Sequence, residues 1–266
     1  MIRLLNDAAA VDRETLAVCH YGRKILTCLA AYGTSYDFCR FYAVEGGGKR
    51  AWMMLQNSTL LISSVQDFTH EYLLHRELSA FVEMHCPFRV EGCQSLIEGL
   101  SLSGYRPLRR SVFRLVPGET SARFDPALVN HSPRLDDVYD ILTEGFPNLT
   151  EYGMWLTDTS HMVRRGLRRC FTYADCTAAT AVYDYKNRVL IGQVATRAAF
   201  RGQGYARDLL RYLAAQMEQE GKDAILYALD LRASFYKEIG FRLLQTEQVL
   251  ERMEDAEPDA LKKEAL

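Results

Sequence analysis

The sequence predicts an α/β fold of the mixed α+β kind, arranged as two tandem domains, each a twisted mixed sheet flanked by helices. Three observations lead to this prediction. The chain has 266 residues, which exceeds the ~150 residues of a typical single domain. Segments with the alternating pattern of strands take turns with segments that have the 3.6-residue spacing of helices. The order of these segments in the first half also recurs in the second half.

The first half begins with a helix and then reads as three strands, a helix, a strand, a second helix and a strand. The segment 45–49, Glu-Gly-Gly-Gly-Lys, separates the first two strands, and its glycines suit a hairpin turn. The predicted elements are a helix at 12–32, strands at 38–44, 51–55 and 58–64, a helix at 71–85, a strand at 88–90, a helix at 94–103 and a strand at 111–115.

The second half follows a segment, 116–126, that mixes Pro, Gly, Ser and Thr and has no apolar periodicity. The expected domains are therefore residues 1–120 and 126–253, followed by a charged tail at 254–266. The predicted elements are helices at 135–144 and 149–167, strands at 170–174, 178–185 and 189–196, a helix from 205 to 220, a strand at 224–229, a helix at 233–239 and a last strand at 240–251.

Composition narrows the class of protein. The formal net charge of −2 gives no general attraction to nucleic acid or to an anionic membrane. No apolar run approaches the ~20 residues of a bilayer span, and the N-terminus is too short in its apolar part for a signal peptide. The seven cysteines show no C-x-x-C pair and no histidine cluster. We therefore expect a cytoplasmic protein with reduced thiols, no metal site, and neither a nucleic-acid nor a membrane partner.

The most informative segment is 201–206, Arg-Gly-Gln-Gly-Tyr-Ala, between an apolar strand and an amphipathic helix. Without Cβ atoms at Gly202 and Gly204, successive backbone N–H groups can converge on an anion, and the helix adds the positive end of its dipole. The segment therefore predicts a diphosphate-binding loop, although a tight turn that binds nothing stays open. The Walker pattern fails because no Lys-Ser or Lys-Thr follows, and the dinucleotide pattern fails because Arg207 stands where a third glycine is needed.

The loop and its surroundings resemble the GNAT N-acetyltransferase superfamily, whose phosphate loop reads Q/R-x-x-G-x-G/A. Arg201, Gly204 and Ala206 match its three fixed positions, and a Y-x-x-x-G-F motif starts at Tyr236. The resemblance covers about 130–253 and implies acetyl-CoA as the cofactor. The residues that it implies in cofactor binding are Val194, Ala195, Thr196, Arg201, Gly202, Gln203, Gly204, Tyr205 and Ala206.

The N-terminal half has no glycine loop at the corresponding place. Its third strand runs through Ser64-Val65-Gln66-Asp67-Phe68-Thr69 straight into a helix. The segments 103–108, Ser-Gly-Tyr-Arg-Pro-Leu, and 239–244, Ile-Gly-Phe-Arg-Leu-Leu, nevertheless align. The first half is therefore interpreted as a degenerate GNAT-like domain without the diphosphate site, with an unrelated α/β accessory domain as the alternative.

The resemblance also implies catalytic roles. Tyr236 takes the position of the family's general acid, which protonates the departing thiolate, and the backbone N–H of Val194 would polarise the thioester carbonyl. The alternative is that Tyr236 only packs the helix on the sheet. The family often has Asn several residues before this tyrosine, whereas the nearby polar residue in this sequence is Asp230, and Ala233 lies one residue closer than usual.

No general base stands out. Gln193 occupies the strand position where the family often has Glu, and an amide accepts no proton at neutral pH. Glu151 and Tyr152, together with Glu144, are expected to line the acceptor cleft and to bind substrate. Glu151 and Tyr152 are also candidates for the base, as are Asp184 on the third strand of the second half and the pair His131 and His161.

The predicted function is direct acetyl transfer from acetyl-CoA to an amine of a small molecule or peptide within a ternary complex. The alternative is an acyl-CoA-binding sensor or scaffold without turnover, and a nucleotide-binding protein is a third interpretation. The N-terminal domain would complete the acceptor cleft or mediate assembly, with a homodimer as the candidate assembly. The sequence leaves the identity of the acceptor open.

Overall fold

The computed structural model describes residues 1–253, so the predicted charged tail at 254–266 lies outside the described residues. Two compact units are present, and neither is a continuous stretch of chain. Among the described residues, unit 1 contains 1–22, 34–108 and 248–253, and unit 2 contains 23–33 and 109–247.

The described residues form twelve strands and eight α-helices. The strands are β1 Ile2–Leu4, β2 Cys39–Gly46, β3 Lys49–Gln56, β4 Thr59–Ser63, β5 Arg89–Gly92, β6 Tyr105–Arg114, β7 Val129–Asn130, β8 Arg169–Tyr173, β9 Thr177–Tyr185, β10 Arg188–Thr196, β11 Asp223–Leu229 and β12 Arg242–Arg252. The helices are α1 Arg13–Leu16, α2 His20–Tyr32, α3 Tyr72–His85, α4 Gln94–Ile97, α5 Leu135–Thr143, α6 Tyr152–Arg164, α7 Tyr205–Gln219 and α8 Asp230–Glu238.

Unit 1 contains a mixed sheet. Strands β1, β2, β3 and β4 are joined antiparallel, and β4 pairs parallel with β5 after the crossover through α3. The strand next to β5 on its other side is the C-terminal end of β12, which pairs antiparallel with β5 through Leu250 and Val90. Leu250 belongs to the same buried cluster as Val90, Leu60 and Leu78. Unit 1 is therefore completed by residues from the far end of the sequence.

Unit 2 repeats this order. Strands β7, β8, β9 and β10 are joined antiparallel, and β10 pairs parallel with β11 after the crossover through α7. The last position is taken by the C-terminal part of β6, which pairs antiparallel with β11 through Phe113 and Leu226. The apolar face of α7, with Leu209, Leu210 and Leu213, packs on these strands as the helical spacing predicts.

The predicted fold class, two GNAT-like mixed sheets flanked by helices, is confirmed. The connectivity adds a feature that the sequence pattern did not predict, because the row of paired strands within each unit ends with the closing strand of the other half of the sequence. The predicted ranges 1–120 and 126–253 describe the repeat along the chain, whereas the compact units exchange these closing strands. Gly104 and Gly240, which precede the exchanged strands, share a left-handed conformation with φ of +75° and +86°.

Several element boundaries differ from the prediction. The helix predicted at 12–32 is broken into α1 and α2. The helix predicted at 94–103 ends at Ile97, because Gly99, Ser101 and Ser103 are poor helix formers. Strand β6 begins six residues before the predicted start at 111, and β1 and β7 were not predicted. Among the described residues, no helix is long and apolar enough to cross a bilayer.

A truncation tests the closing strand of unit 1. A chain that ends at Glu247 lacks buried Leu250 and the Glu251 carboxylate, which pairs with Arg89 at 2.8 Å and with Arg106 at 3.1 Å. We expect amide hydrogen exchange in β5 to accelerate at least about tenfold, because the strand loses its neighbour. A chain that ends at Met253 is the matched control and should exchange like the full-length protein. Equal protection of β5 in both truncations would contradict the prediction.

Candidate functional site

Strands β10 and β11 separate partway along their length. Their parallel pairing runs from Arg188 opposite Asp223 to Ile191 opposite Leu226 and goes no further among the described residues. Beyond this point β10 stays paired with β9, and β11 stays paired with β6. The two strands therefore open a cleft at their C-terminal ends, which is the edge of a parallel pair where ligands usually bind.

A β-bulge lies where the strands separate. The register with β9 shifts between Gly192 and Ala195, which leaves Gln193 and Val194 in the bulge. Gln193 has a φ of +48°, in the left-handed region that few residues other than glycine adopt. A bulge takes residues out of the ladder and re-aims their backbone groups. This geometry makes the backbone N–H of Val194 available to a ligand in the cleft.

The glycine loop has the geometry of an anion site. Gly202 and Gly204 have φ values of +74° and +86°, and Gly204 is the N-cap of α7 without a side-chain capping hydrogen bond. The first N–H groups of α7 thus face the loop together with the positive end of the helix dipole. A Cβ atom at Gly204 would come within 3.0 Å of Arg207 Nη2. The left-handed conformation therefore favours glycine here, and any side chain would have to displace the Arg207 guanidinium.

A cavity of about 630 Å³ joins the cleft to the loop. Eight of the nine predicted cofactor residues line it. The lining residues are Glu144, Gly145, Val194, Ala195, Thr196, Phe200, Arg201, Gly202, Gly204, Tyr205, Ala206, Arg207, Arg232, Phe235, Glu238 and Ile239. The ninth, Gln203, supports the loop through its side-chain amide, whose Nε2 donates to the carbonyl of Ala199 at 3.1 Å.

Arg201 bridges neighbouring backbone segments. Its Nε donates to the carbonyl of Thr196 at 3.0 Å, and one Nη donates to the carbonyl of Glu144. The Glu144 carboxylate accepts from the N–H of Ala198 at 2.6 Å and from Arg197 at 3.0 Å. These bonds, the one from Ala198 first, lower the pKa of Glu144 below its usual value. Arg201 and Glu144 together fix the end of β10 to the start of the loop.

Two arginines that sequence analysis missed add positive charge at the loop. Arg207 lies in the first turn of α7 and lines the cavity. Arg123 comes from the segment predicted as a linker, and its guanidinium lies 5.1 Å from the ring centroid of Tyr205. A Cβ at Gly204 would be 3.4 Å from Arg123 Nη2. Both arginines are therefore placed to attract an anion bound at the loop.

A buried carboxylate ties the linker segment to α7. Asp208, 1 % exposed, accepts from the hydroxyl of Ser121 at 2.6 Å, from its N–H at 3.2 Å and from Arg207 Nε at 3.0 Å. Burial alone would raise the pKa of Asp208, but the bonds from Ser121 and Arg207 outweigh it and hold that pKa below its usual value. The carboxylate therefore holds Arg207 and the segment that carries Arg123 beside the loop.

We expect Asp208→Asn to lower the free energy of unfolding by about 1–2 kcal/mol at pH 7, because a charged hydrogen-bond acceptor is lost. Asp208 has a lowered pKa in the folded state, so its contribution is present above the unfolded pKa of about 3.9 and is lost as the pH falls through the folded value. Urea unfolding at pH 7 and pH 3 measures this, and the difference from wild type should shrink at pH 3. Glu218→Gln, also on α7, is the control and should unfold like wild type at both pH values. An equal loss of unfolding free energy at pH 7 and pH 3 in Asp208→Asn would contradict the prediction.

Tyr236 is placed in the core of unit 2. Its side chain is 7 % exposed, and its ring centroid lies 5.7 Å from that of Phe113 and 6.3 Å, stacked, from that of Phe241. Burial raises the pKa of its phenol. The described residues of α8 that line the cavity are Arg232, Phe235 and Glu238, and Tyr236 is not one of them.

The predicted acceptor residues Glu151 and Tyr152 lie at the start of α6. Glu151 is its N-cap and accepts from the N–H groups of Gly153 at 3.0 Å and Met154 at 3.3 Å. The Tyr152 hydroxyl donates to Asp136, which raises the pKa of the phenol. Neither residue is among the described residues that line the cavity. Their role in substrate binding stays a prediction.

The other candidates for a base have structural partners. Asp184 forms ion pairs with Lys222 at 2.8 Å and with Arg169 at 2.9 Å. His161 stacks on Tyr32, and its Nε2 lies 2.9 Å from the carbonyl oxygen of Ala31. His131 Nε2 lies 3.2 Å from the hydroxyl of Tyr212. Among the described residues, no group of His, Cys, Asp and Glu side chains could hold a metal ion.

Comparison with known proteins agrees with this geometry. Residues 167–243 match the family model described as acetyltransferase (GNAT) domain. The match covers β8 to the start of β12 and includes the bulge, the glycine loop and α8. This part of the chain is a GNAT domain, as its motifs predicted. None of the curated proteins compared with the chain matches it in sequence.

Solved structures extend the likeness of fold to nearly the whole chain. A GCN5-related N-acetyltransferase from Sphaerobacter thermophilus matches with a TM-score of 0.64 at 18% identity, over 95% of this chain and 94% of its own. A GCN5-related N-acetyltransferase from Kribbella flavida matches with a TM-score of 0.54 at 12% identity, over 88% of this chain and 96% of its own. A tandem GNAT protein from the clavulanic acid biosynthesis pathway matches with a TM-score of 0.55 at 12% identity, over 97% of this chain and 99% of its own. At these identities the likeness shows the fold alone.

Proposed function

We propose that unit 2 binds acetyl-CoA and transfers its acetyl group directly to an amine of a small molecule or peptide in a ternary complex. The observation that supports this most strongly is the cavity that joins the opened end of β10 to the uncapped start of α7. A thioester ligand needs such a site, because its diphosphate requires N–H donors and positive charge while its acyl end requires a sheltered cleft.

Each part of the cavity has a chemical task in this proposal. The N–H groups of the loop and of α7, with Arg207, would hold the diphosphate. Residues 193–196 of β10 would offer backbone groups to the extended arm of the ligand, and the N–H of Val194 would donate to the carbonyl oxygen as negative charge develops. Bound acetyl-CoA supplies an activated acyl group. Tyr236 would hold the proton that the departing thiolate needs.

The acceptor must reach the carbonyl as a neutral amine. A lysine amine with a pKa of ~10.4 costs about 4.6 kcal/mol to deprotonate at pH 7, whereas an α-amine near 8 costs only about 1 kcal/mol. Gln193 and the ion-paired Glu144 leave the β10 side of the cavity without a strong base. We therefore propose that this site favours acceptors of low pKa, such as α-amines.

A panel of amines at several pH values tests this preference. Turnover with acetyl-CoA should rise with pH up to the pKa of each acceptor and should be faster for α-amines than for lysine side chains at pH 7. Calorimetry with CoA alone provides the binding control. Preference for lysine with a pH-independent rate would contradict the proposal, because it would require a base that the site does not provide.

A sensor or scaffold that binds acyl-CoA without turnover is the second candidate. The packing of Tyr236 in the core, with Phe235 at the cavity wall, favours it. The two functions predict the same affinity for CoA but differ in turnover. Binding without either hydrolysis or transfer across the panel would identify the sensor, whereas failure to bind CoA would reject both.

A further inference from the structure

Unit 1 brings two cysteines into contact. Cys19 lies between α1 and α2, and Cys93 directly precedes α4. Their Sγ atoms are 3.6 Å apart although the residues are 74 positions apart in sequence. Both cysteines are free thiols at half-buried residues. This pair lies in unit 1 and takes no part in the proposed transfer reaction.

The surroundings of the pair differ for its two members. Cys93 Sγ donates to the carbonyl of Ser64 at 3.0 Å and lies 3.3 Å from the N–H of the same residue. The hydrogen bond between the thiols lowers the pKa of Cys19 and raises that of Cys93. Cys19 is therefore the member that ionises more readily to the thiolate, which is the nucleophilic form.

We propose that Cys19 and Cys93 form a reversible redox pair that hydrogen peroxide converts to a disulfide. The Cys19 thiolate attacks one peroxide oxygen, the O–O bond breaks, and the departing hydroxide takes a proton to become water, which leaves Cys19 as a sulfenic acid. The Cys93 sulfur then attacks the Cys19 sulfur, and the S–O bond breaks. The hydroxide that leaves takes the Cys93 proton, so one peroxide yields one disulfide and two waters.

The geometry requires only a small movement. A disulfide has an S–S distance of about 2.0 Å, so the sulfurs must approach by roughly 1.6 Å from their 3.6 Å contact. Neither residue lies inside a long element, since Cys19 is in a turn and Cys93 precedes a helix of four residues. Side-chain rotation with a small backbone adjustment can therefore close the gap.

Oxidation also changes a cavity of unit 1. The residues that line this cavity of about 680 Å³ include Ser64, Val65 and Gln66 as well as Lys49 and Arg50. Disulfide formation removes the Cys93 proton and with it the hydrogen bond to the carbonyl of Ser64. The redox state of the pair therefore acts directly on one wall of this cavity.

The experiment treats the native full-length protein with hydrogen peroxide, blocks remaining thiols with iodoacetamide during denaturation, and digests without reductant. We expect one linked tryptic pair, peptide 14–23 joined to peptide 90–109, two hydrogen atoms lighter than the separate peptides. Dithiothreitol should restore both thiols. Absence of this pair, with Cys19 either still alkylated or oxidised to the sulfinic acid, would overturn the proposal.

Three variants refine the result. Cys86→Ser removes an exposed thiol that already donates to the carbonyl of Glu83, and the 19–93 link should form in it as in wild type. Cys93→Ser should form no link and should leave Cys19 as a sulfenic acid that dimedone traps. Cys19→Ser should show neither a disulfide nor a sulfenic acid at Cys93. A disulfide between Cys19 and another cysteine in Cys93→Ser would show non-specific oxidation and would also overturn the proposal.

Discussion

Gly204→Val should weaken CoA binding at least tenfold, which corresponds to about 1.4 kcal/mol. Gly204 has a φ of +86° at the start of α7, and a side chain there would come within 3.0 Å of Arg207 Nη2. A valine would occupy the space that the diphosphate needs, displace the arginine and add about 1–2 kcal/mol of left-handed backbone strain. Isothermal calorimetry with CoA measures the affinity.

The same helix provides the matched control for this prediction. Gly221 follows the C-terminal end of α7 with a φ of +69°, and a Cβ there would meet nothing within 4 Å. Gly221→Val therefore imposes similar backbone strain far along the helix from the loop. It should lower stability but leave the affinity for CoA unchanged. If both variants bind CoA like wild type, the glycine loop is not the diphosphate site.

Tyr236→Phe should reduce kcat about 10²-fold if the phenol protonates the departing thiolate, because general acid catalysis contributes at least this much. The variant keeps the ring that packs against Phe113 and Phe241, so the affinity for CoA should barely change. Only the protonated phenol can act as the acid, and burial raises its pKa above the usual ~10. The fall of kcat at alkaline pH, where this phenol ionises, therefore lies above pH 10 in wild type and should vanish in the variant.

Tyr173→Phe is the control for removal of a buried hydroxyl. Tyr173 belongs to the same buried cluster as Tyr236, and burial raises its phenol pKa as well. Steady-state kinetics should show a wild-type kcat for Tyr173→Phe. Thermal unfolding measures the effect of each substitution on stability. A wild-type rate in Tyr236→Phe would assign Tyr236 to packing alone and leave water as the proton donor.

The sequence predicted the local features of the site because local patterns encode them. Gly202 and Gly204 mark the loop directly, since few other residues adopt their conformation. The strand that ends at Thr196 and the helix that begins at Tyr205 follow from apolar periodicity. The exact ends of the short helices did not follow, because capping and tertiary packing decide them.

Features that depend on contacts between residues far apart in sequence were not predicted, because local sequence patterns do not report such contacts. The exchange of β6 and β12 depends on pairing between segments that lie far apart in sequence, which local sequence patterns do not encode. Asp208 and Ser121 are 87 positions apart, so the polar composition of the linker gave no sign that it is anchored to α7.

The exchanged strands also determine when each unit can be completed during synthesis on the ribosome. The closing strand of unit 2 is made early, in β6, so this unit has all its residues once the chain reaches Glu247. Most of unit 1 is made first, yet its sheet waits for residues 248–252, which follow the last residue of unit 2. Until then β5 is an edge strand open to association with other chains. The half that is translated first is therefore the half that is finished last.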